Sequence, residues 1–273
     1  MDLVVFDLDG TLLNRDSAVS ARTAETLRLL ADRGIAYTVA TGRMLHGSRD
    51  VLAGHGFDLP QIFKNGVMVW NPLAQDYSHL SLLAPDEIRH VMDAVTAQQV
   101  TPFVFTLEAG NQHAVYHAPA QNAVEERLLN YYIKHPSISI RPVSELPAAA
   151  SITNISAIGP NALVAEIERI VAHEEHLVAF AGSAMEGEHL AWIDIHHSDA
   201  SKGNAVRRLR EQLGATRVIC FGDSDNDLSM FAMADECYAP DNARAAIKAA
   251  ATAVIGHHHA DGIADFLRER FSL

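Results

Sequence analysis

Apolar and polar positions follow two rhythms along the chain, and the change between them divides it. Leu3-Val4-Val5-Phe6 is an unbroken apolar run, as in a parallel strand buried on both faces, and it stops at Asp7-Leu8-Asp9-Gly10. Ala24, Leu27, Leu30 and Ala31 recur at helical spacing within residues 20–33, with Ser20 as N-cap and Gly34 as stop. Residues 35–40 form the next strand, which completes a βαβ unit, and residues 61–64 are expected to add a third parallel strand. From Val67 the pattern shortens into a hairpin, 67–70 and 77–82 around Asn71-Pro72, followed by a helix over 85–99. Strand-like runs at 103–107, 114–116, 152–158, 177–180 and 190–195 then mix with helical stretches at 124–132 and 160–173. Regular alternation returns with helix 202–213, strand 218–221, helices 227–233 and 243–250, strand 253–255 and helix 263–270. The pattern predicts an α/β core with a parallel sheet over 1–82 and 188–273, interrupted by an α+β insert at 83–187. An insert so placed is expected to form a lid over the strand ends.

Composition narrows the class. A length of 273 residues with 48% hydrophobic content allows one large or two ordinary domains with full cores. The 21 basic against 34 acidic side chains give −13, which argues against nucleic acid or an anionic membrane surface as partner. No apolar run reaches the length of a membrane span, and Met1-Asp2 lacks the basic start of a signal peptide, so a cytoplasmic protein is expected. Cys220 lies inside one apolar run and Cys237 precedes another, which reads as buried thiols in a reducing compartment.

The candidate chemistry lies where apolar runs meet acids. A second run, Val218-Ile219-Cys220-Phe221, ends at Gly222-Asp223-Ser224-Asp225-Asn226-Asp227. Ligands in open α/β sheets bind outside the carboxyl ends of the strands, so the two acidic knots, if adjacent, share one crevice. Two carboxylates about 4 Å apart repel by roughly 4 kcal/mol at an effective dielectric near 20, so such a cluster needs a cation. Oxygen-only donors favour Mg2+. Aspartate and glycine also end strands for purely conformational reasons, and the second knot is what tips the balance. Thr41-Gly42, expected to open a helix, offers a hydroxyl, a bare backbone and helix-start N–H groups to an anion, or is an ordinary N-cap. Arg43 meets a second anionic group or faces solvent. Lys202, between Ser201 and Gly203 at a helix start, opposes the helix dipole, which points to another task. His257-His258-His259 resembles a transition-metal run, but adjacent side chains are expected to diverge, which favours a surface loop. No Gly-rich nucleotide loop of P-loop or dinucleotide type is present in the sequence.

Asp7-x-Asp9-Gly10-Thr11, Thr41-Gly42-Arg43, Ser201-Lys202-Gly203 and Gly222-Asp223-x-x-Asn226-Asp227 together resemble the four signature motifs of the haloacid dehalogenase superfamily. The insert between the second and third motifs looks like the C2-type (IIB) cap of its Cof-type phosphatases. The resemblance implies a Rossmann-like core and a Mg2+-dependent hydrolase of small phosphorylated metabolites, with sugar phosphates first. It assigns Asp7 as nucleophile and Asp9 as general acid and base, both pointing to one side of an extended segment. Phosphate contacts fall by resemblance to Thr41, Gly42, Lys202, Asn226 and the backbone after Leu8, with Arg43 nearby. The metal group is Asp7, the carbonyl of Asp9 and Asp223, with Asp227 beside the metal or Lys202. Where relatives carry an Asn, this chain has His258. Turns at 108–113 and 186–189 are the candidate specificity positions of the cap, or simply surface turns. A phosphomutase and a receiver-like phospho-aspartate signalling module remain as alternatives; the general base at Asp9 speaks against a long-lived phospho-aspartate.

Overall fold

The computed structural model describes residues 1–134, 137–184 and 189–273. In chain order it gives β1 (Asp2–Phe6), α1 (Ala21–Asp32), β2 (Ala36–Val39), α2 (His46–Leu52), β3 (Gln61–Phe63), β4 (Met68–Asn71) and β5 (Asp76–Leu80). Next come α3 (Pro85–Ala97), β6 (Phe103–Glu108), β7 (Gln112–His117), α4 (Ala123–Ile133), β8 (Ile138–Pro142), β9 (Ile152–Pro160), α5 (Asn161–Val171), β10 (Leu177–Ser183) and β11 (Leu190–His197). The chain closes with α6 (Lys202–Leu213), β12 (Arg217–Phe221), α7 (Leu228–Phe231), β13 (Glu236–Pro240), α8 (Ala245–Ala250), β14 (Ala253–Ile255) and α9 (Gly262–Phe271).

Two compact units result, residues 1–80 with 200–273, and residues 81–199. In the first, the core, the parallel sheet runs in the order β14-β13-β12-β1-β2. Its apolar strands alternate between two packed faces. Val4, Phe6, Val39, Ile219 and Phe221 meet α1 and α9 through Leu27, Leu30, Ile263 and Leu267, whereas Leu3, Val5, Val218 and Cys220 meet Val206, Leu209, Met230 and Ile247. Burial on both faces explains why these strands read as unbroken apolar runs. Cys220 and Cys237 are buried, free and opposite one another on β12 and β13. One sequence expectation fails here. β3 is not a full strand of the parallel sheet but pairs antiparallel with β4, touching β2's end through a single parallel bridge, Ala40 to Ile62.

The second unit, the cap, is a six-stranded sheet in the order β10-β11-β9-β6-β7-β8, antiparallel except for β7 with β8. Val104, Tyr116, Ile155, Ala157, Ile193 and Ile195 face α3 and α5 and form its core with Val91, Val95, Val164 and Ile167. The expected junctions at 82/83 and 187/188 shift to 80/81 and 199/200. The reason is β11, expected in the core: it hydrogen-bonds on both edges, to β9 and β10, and so belongs to the cap sheet. β8, absent from the sequence pattern, adds itself at the edge beside β7. No helix among the described residues is long and apolar enough to cross a membrane.

Candidate active site

β1 ends at Phe6, and Asp7 extends the ladder by one bond, its N–H donating to the Phe221 carbonyl at 2.9 Å. The chain then makes a wide turn over Leu8–Leu12, closed by Leu12 N–H to Asp7 O at 3.2 Å and Leu13 N–H to Leu8 O at 2.9 Å. Asp7 and Asp9 therefore do not lie on an extended segment, as the spacing suggests, but on either side of the first residue of a turn. The Asp7 carboxyl is buried, while that of Asp9 is 58% exposed and forked by Arg43, with Nε to Oδ2 at 2.7 Å and Nη2 to Oδ1 at 2.5 Å.

Gly10 makes the turn possible. Its φ is +75°, and a Cβ there would lie 2.5 Å from Oδ2 of Asp223. Gly34 has a similar φ, +69°, but nothing within 4 Å of an added Cβ. Gly10→Ala is therefore expected to cost about 1–3 kcal/mol of strain and more from the clash, whereas Gly34→Ala pays the backbone term alone. Denaturant melts of the two variants side by side check this; equal losses would contradict it.

The centre of the site is one cation between two acids. Nζ of Lys202 donates to Oδ1 of Asp7 and to Oδ1 of Asp227, each at 2.6 Å, and the side chains of Lys202 and Asp227 are fully buried. Lys202 opens α6, capped by Ser201, whose Oγ accepts the Asn204 N–H. Asp227 is committed at both oxygens, since its Oδ2 accepts the N–H groups of Asp223 and Ser224 at 2.9 Å each. Asp223 is held by hydroxyls: Thr11 donates to Oδ1 and Ser224 to Oδ2, each at 3.1 Å. Carboxylate oxygens of Asp7, Asp223 and Asp227 all lie within 4.8 Å of one another.

Burial pushes the Asp7 carboxyl well above the usual carboxylate range, with Asp227 and Asp223 adding to the rise and Lys202 opposing it. Burial and Asp227 likewise raise Asp223, against its hydroxyl donors and Lys202. For Lys202, burial pulls downward, but Asp227 and Asp7 outweigh it and hold the ammonium above its ordinary range. Three acids thus share one lysine. An all-oxygen donor set with uncompensated negative charge fits a hard divalent cation such as Mg2+.

Thr41 and Gly42 do not open a helix. α2 starts at His46 with Leu45 before it, because the intervening backbone is stitched to the 61–66 segment instead. Lys64 N–H donates to Arg43 O and Asn65 N–H to Thr41 O, each at 3.0 Å, and the Thr41 hydroxyl accepts the Arg43 N–H at 3.1 Å. Gly42 lies against Asn65, whose Oδ1 accepts Asn226 Nδ2 at 2.9 Å, so the second and fourth motifs are joined through a residue outside all four motifs. Oδ1 of Asn226 is buried without a hydrogen-bond partner among the described residues. Asn242, also outside the motifs, donates from Nδ2 to the Gly10 carbonyl at 2.7 Å and accepts the His258 N–H at 3.2 Å. Both Asn65-Gly66 and Asp241-Asn242 stand just past strand ends, the same signal that marks Asp7 and Asp223. Asp225 pairs with Arg244 at the surface.

The three histidines do not diverge as expected: their ring nitrogens come within 4.8 Å of one another around a short turn, His258–Ala260. His258 Nδ1 bonds the Leu13 carbonyl at 2.8 Å, and His257 Nδ1 accepts the His259 N–H at 3.1 Å. In the cap, Glu108 accepts the Tyr116 hydroxyl at 2.6 Å and pairs with Arg141 at 3.3 Å. Residues 186–188 of the other candidate turn lie outside the described residues.

The chain is similar to known proteins over nearly its whole length. The chain is 27% identical over 275 residues to the putative phosphatase YxeH of Bacillus subtilis, covering 98% of this chain and 97% of that protein. It is 26% identical over 281 residues to the 5-amino-6-(5-phospho-D-ribitylamino)uracil phosphatase YitU of Bacillus subtilis, covering 99% and 98%. A haloacid dehalogenase-like hydrolase structure from B. subtilis superposes with a TM-score of 0.79 at 24% identity, covering 98% of this chain and 99% of that one. The haloacid dehalogenase-like hydrolase family matches residues 4–267. With that match over nearly its whole length, the chain belongs to the haloacid dehalogenase-like hydrolases, on their Cof-type phosphatase branch.

Proposed function

We propose that this chain is a Mg2+-dependent phosphatase of a small phosphorylated metabolite, with sugar phosphates as the first class to try, acting through a phosphoryl group carried on Asp7. The observation that carries the reading is the buried lysine between Asp7 and Asp227 with Asp223 alongside. A relative named for a phosphorylated ribitylaminouracil supports a small-molecule substrate.

Lys202 holds Oδ1 of Asp7, and Oδ2 has no hydrogen-bond partner among the described residues, which leaves it as the attacking oxygen. Asp7 attacks phosphorus, the bond to the leaving alcohol breaks, and Asp9 gives that oxygen a proton. Asp9 then takes a proton from water, which attacks phosphorus and frees Asp7 and inorganic phosphate. For either step Asp9 has to come off Arg43, and a second anionic group on the substrate is a natural competitor for that guanidinium. Thr41, Gly42, Asn226, Lys202 and the backbone after Leu8 are the phosphate donors of this reading. Asp7, the Asp9 carbonyl and Asp223 would hold Mg2+, which when bound neutralises charge on the phosphoryl oxygens. Asp227, with both oxygens engaged, serves behind them by fixing Lys202 and the loop that carries Asp223.

Phosphate release from p-nitrophenyl phosphate, with and without Mg2+, tests the reading, followed by a panel of small phosphate esters. An isomer in place of free phosphate, dependent on a bisphosphate activator, would turn it to a mutase.

The raised carboxyls give a pH signature. Asp7 and Asp223 titrate higher in the folded chain than unfolded, so the stability they contribute is complete below the unfolded value, about 4, and is lost as pH climbs through the raised values. The metal-free protein is expected to lose stability over that window. Mg2+ binds the deprotonated pair, so its stabilising effect should grow across the same window. Thermal melts from pH 4 to 8, with Mg2+ and with chelator, check this; a Mg2+ effect independent of pH would contradict it.

A further inference from the structure

The cap sheet has a second face, opposite the one packed on α3 and α5. β6, β9 and β11 place Phe103, Ser156 and Asp194 side by side on it, with Ile158 and Trp192 one row on. A solvated strand face normally carries long charged side chains; this one carries aromatic rings and short polar groups. α4 adds Leu128 and Tyr132, and together these residues line a cavity of about 290 Å³ within the cap unit.

The cavity is built, not left over. Trp192 lies across Gly182, its cross-strand neighbour, with indole atoms 2.9–3.1 Å from where a Cβ would be, so glycine makes the ring's place. Tyr132 is set by Phe105, edge-on at 5.4 Å between centroids, and by Phe103 at 6.4 Å. Asp194 is fixed through one oxygen only: Oδ1 accepts Asn154 Nδ2 at 3.0 Å and the Ser156 hydroxyl, while Asn154 Nδ2 also bonds Ser156 Oγ at 2.8 Å. Oδ2 of Asp194 has no hydrogen-bond partner and Asp194 no ion pair among the described residues.

We propose that this cavity binds a small organic cation built on a flat ring, the ring lying among Phe103, Tyr132 and Trp192 and its ammonium or protonated N–H donating to Oδ2 of Asp194. A carboxylate oriented by two donors, with one oxygen open in an aromatic enclosure, suits a cation twice over, by charge-assisted hydrogen bonding and by the faces of the rings. A neutral polyol meets neither preference, and an anion is repelled. The site lies wholly in the cap unit and stands whether or not the core hydrolyses phosphate esters.

Calorimetric titration of the full chain with benzylamine at pH 7, beside benzyl alcohol, phenylacetate and propylamine, tests it. Benzylamine is expected to bind at least about tenfold more tightly than each of the other three, a difference of one decade in Kd. Asp194→Asn keeps an acceptor for Asn154 and Ser156 and should remove most of that preference. Leu128→Trp, on the half-buried side of α4, fills the cavity and should abolish binding, with an unchanged thermal melt showing that the cap is folded. Equal affinity for the amine and the alcohol, or an Asp194→Asn protein that still prefers the amine, overturns the proposal.

Discussion

Asp7→Asn is expected to lower phosphate release from p-nitrophenyl phosphate by at least about 10³-fold while leaving the metal-free protein as stable as before or more so. The two effects have one cause. Burial drives the Asp7 carboxyl up, Asp227 and Asp223 add to the rise, and Lys202, its ion-pair partner, opposes it. Asparagine keeps the oxygen that accepts from Lys202 and removes the charge that burial disfavours, but it cannot take the phosphoryl group. Steady-state rates with Mg2+ and melts in chelator measure the two sides. An active Asp7→Asn enzyme would remove the nucleophile from the account, and a strongly destabilised one would remove the electrostatic argument.

Lys202→Met carries the second large effect, in the opposite direction. Removing one member of a buried charge cluster typically costs about 3–5 kcal/mol, because the remaining charges stay uncompensated. Here two carboxylates lose the cation they share, and the methionine fills the same channel with no donor. The loss should be largest near neutral pH and shrink toward acid, where Asp7, whose carboxyl burial holds well above the usual range, takes up its proton. Asp7→Asn placed on top of Lys202→Met should return part of the stability, since the neighbours are coupled. A chemical-denaturation cycle over the four proteins at pH 5 and 7.5 measures this. Additive losses, indifferent to pH, would mean the lysine is not held by the pair.

How far the sequence carried the fold depended on how local each decision is. β1, α1, β2 and β12 are legible because a strand buried on both faces leaves an unbroken apolar run and a capped helix leaves a residue such as Ser20. β3 misled because its pairing is decided by β4, which curls back beyond Asn65-Gly66, and not by its own residues. The cap's far junction misled for a similar reason: β11 reads the same whichever sheet it joins, and its bonds to β9 and β10 settle the matter.

At the candidate site, the residue types and their order were legible, whereas their division of labour was not. Asp227 sits in a motif as plainly as Asp223 does, yet both its oxygens are already used, a fact held in the loop geometry of 222–227. Sequence alone allows Arg43 an anion or solvent; in the fold it forks Asp9, brought to it by the wide turn after Asp7. The row of Phe103, Ser156 and Asp194 could not be read at all, because three strands far apart in sequence form it only through their register.

If Asp7 carries the phosphoryl group during turnover, that group can be captured on the protein directly. The enzyme is mixed with ³²P-labelled p-nitrophenyl phosphate and Mg2+, quenched in acid at successive times, and any labelled peptide is reduced with borohydride and sequenced by mass spectrometry. A hydroxylamine-labile label at Asp7 that appears before free phosphate and builds up in Asp9→Asn is expected. Steady product formation with no label on the protein at any time, or a label on another residue, would contradict it.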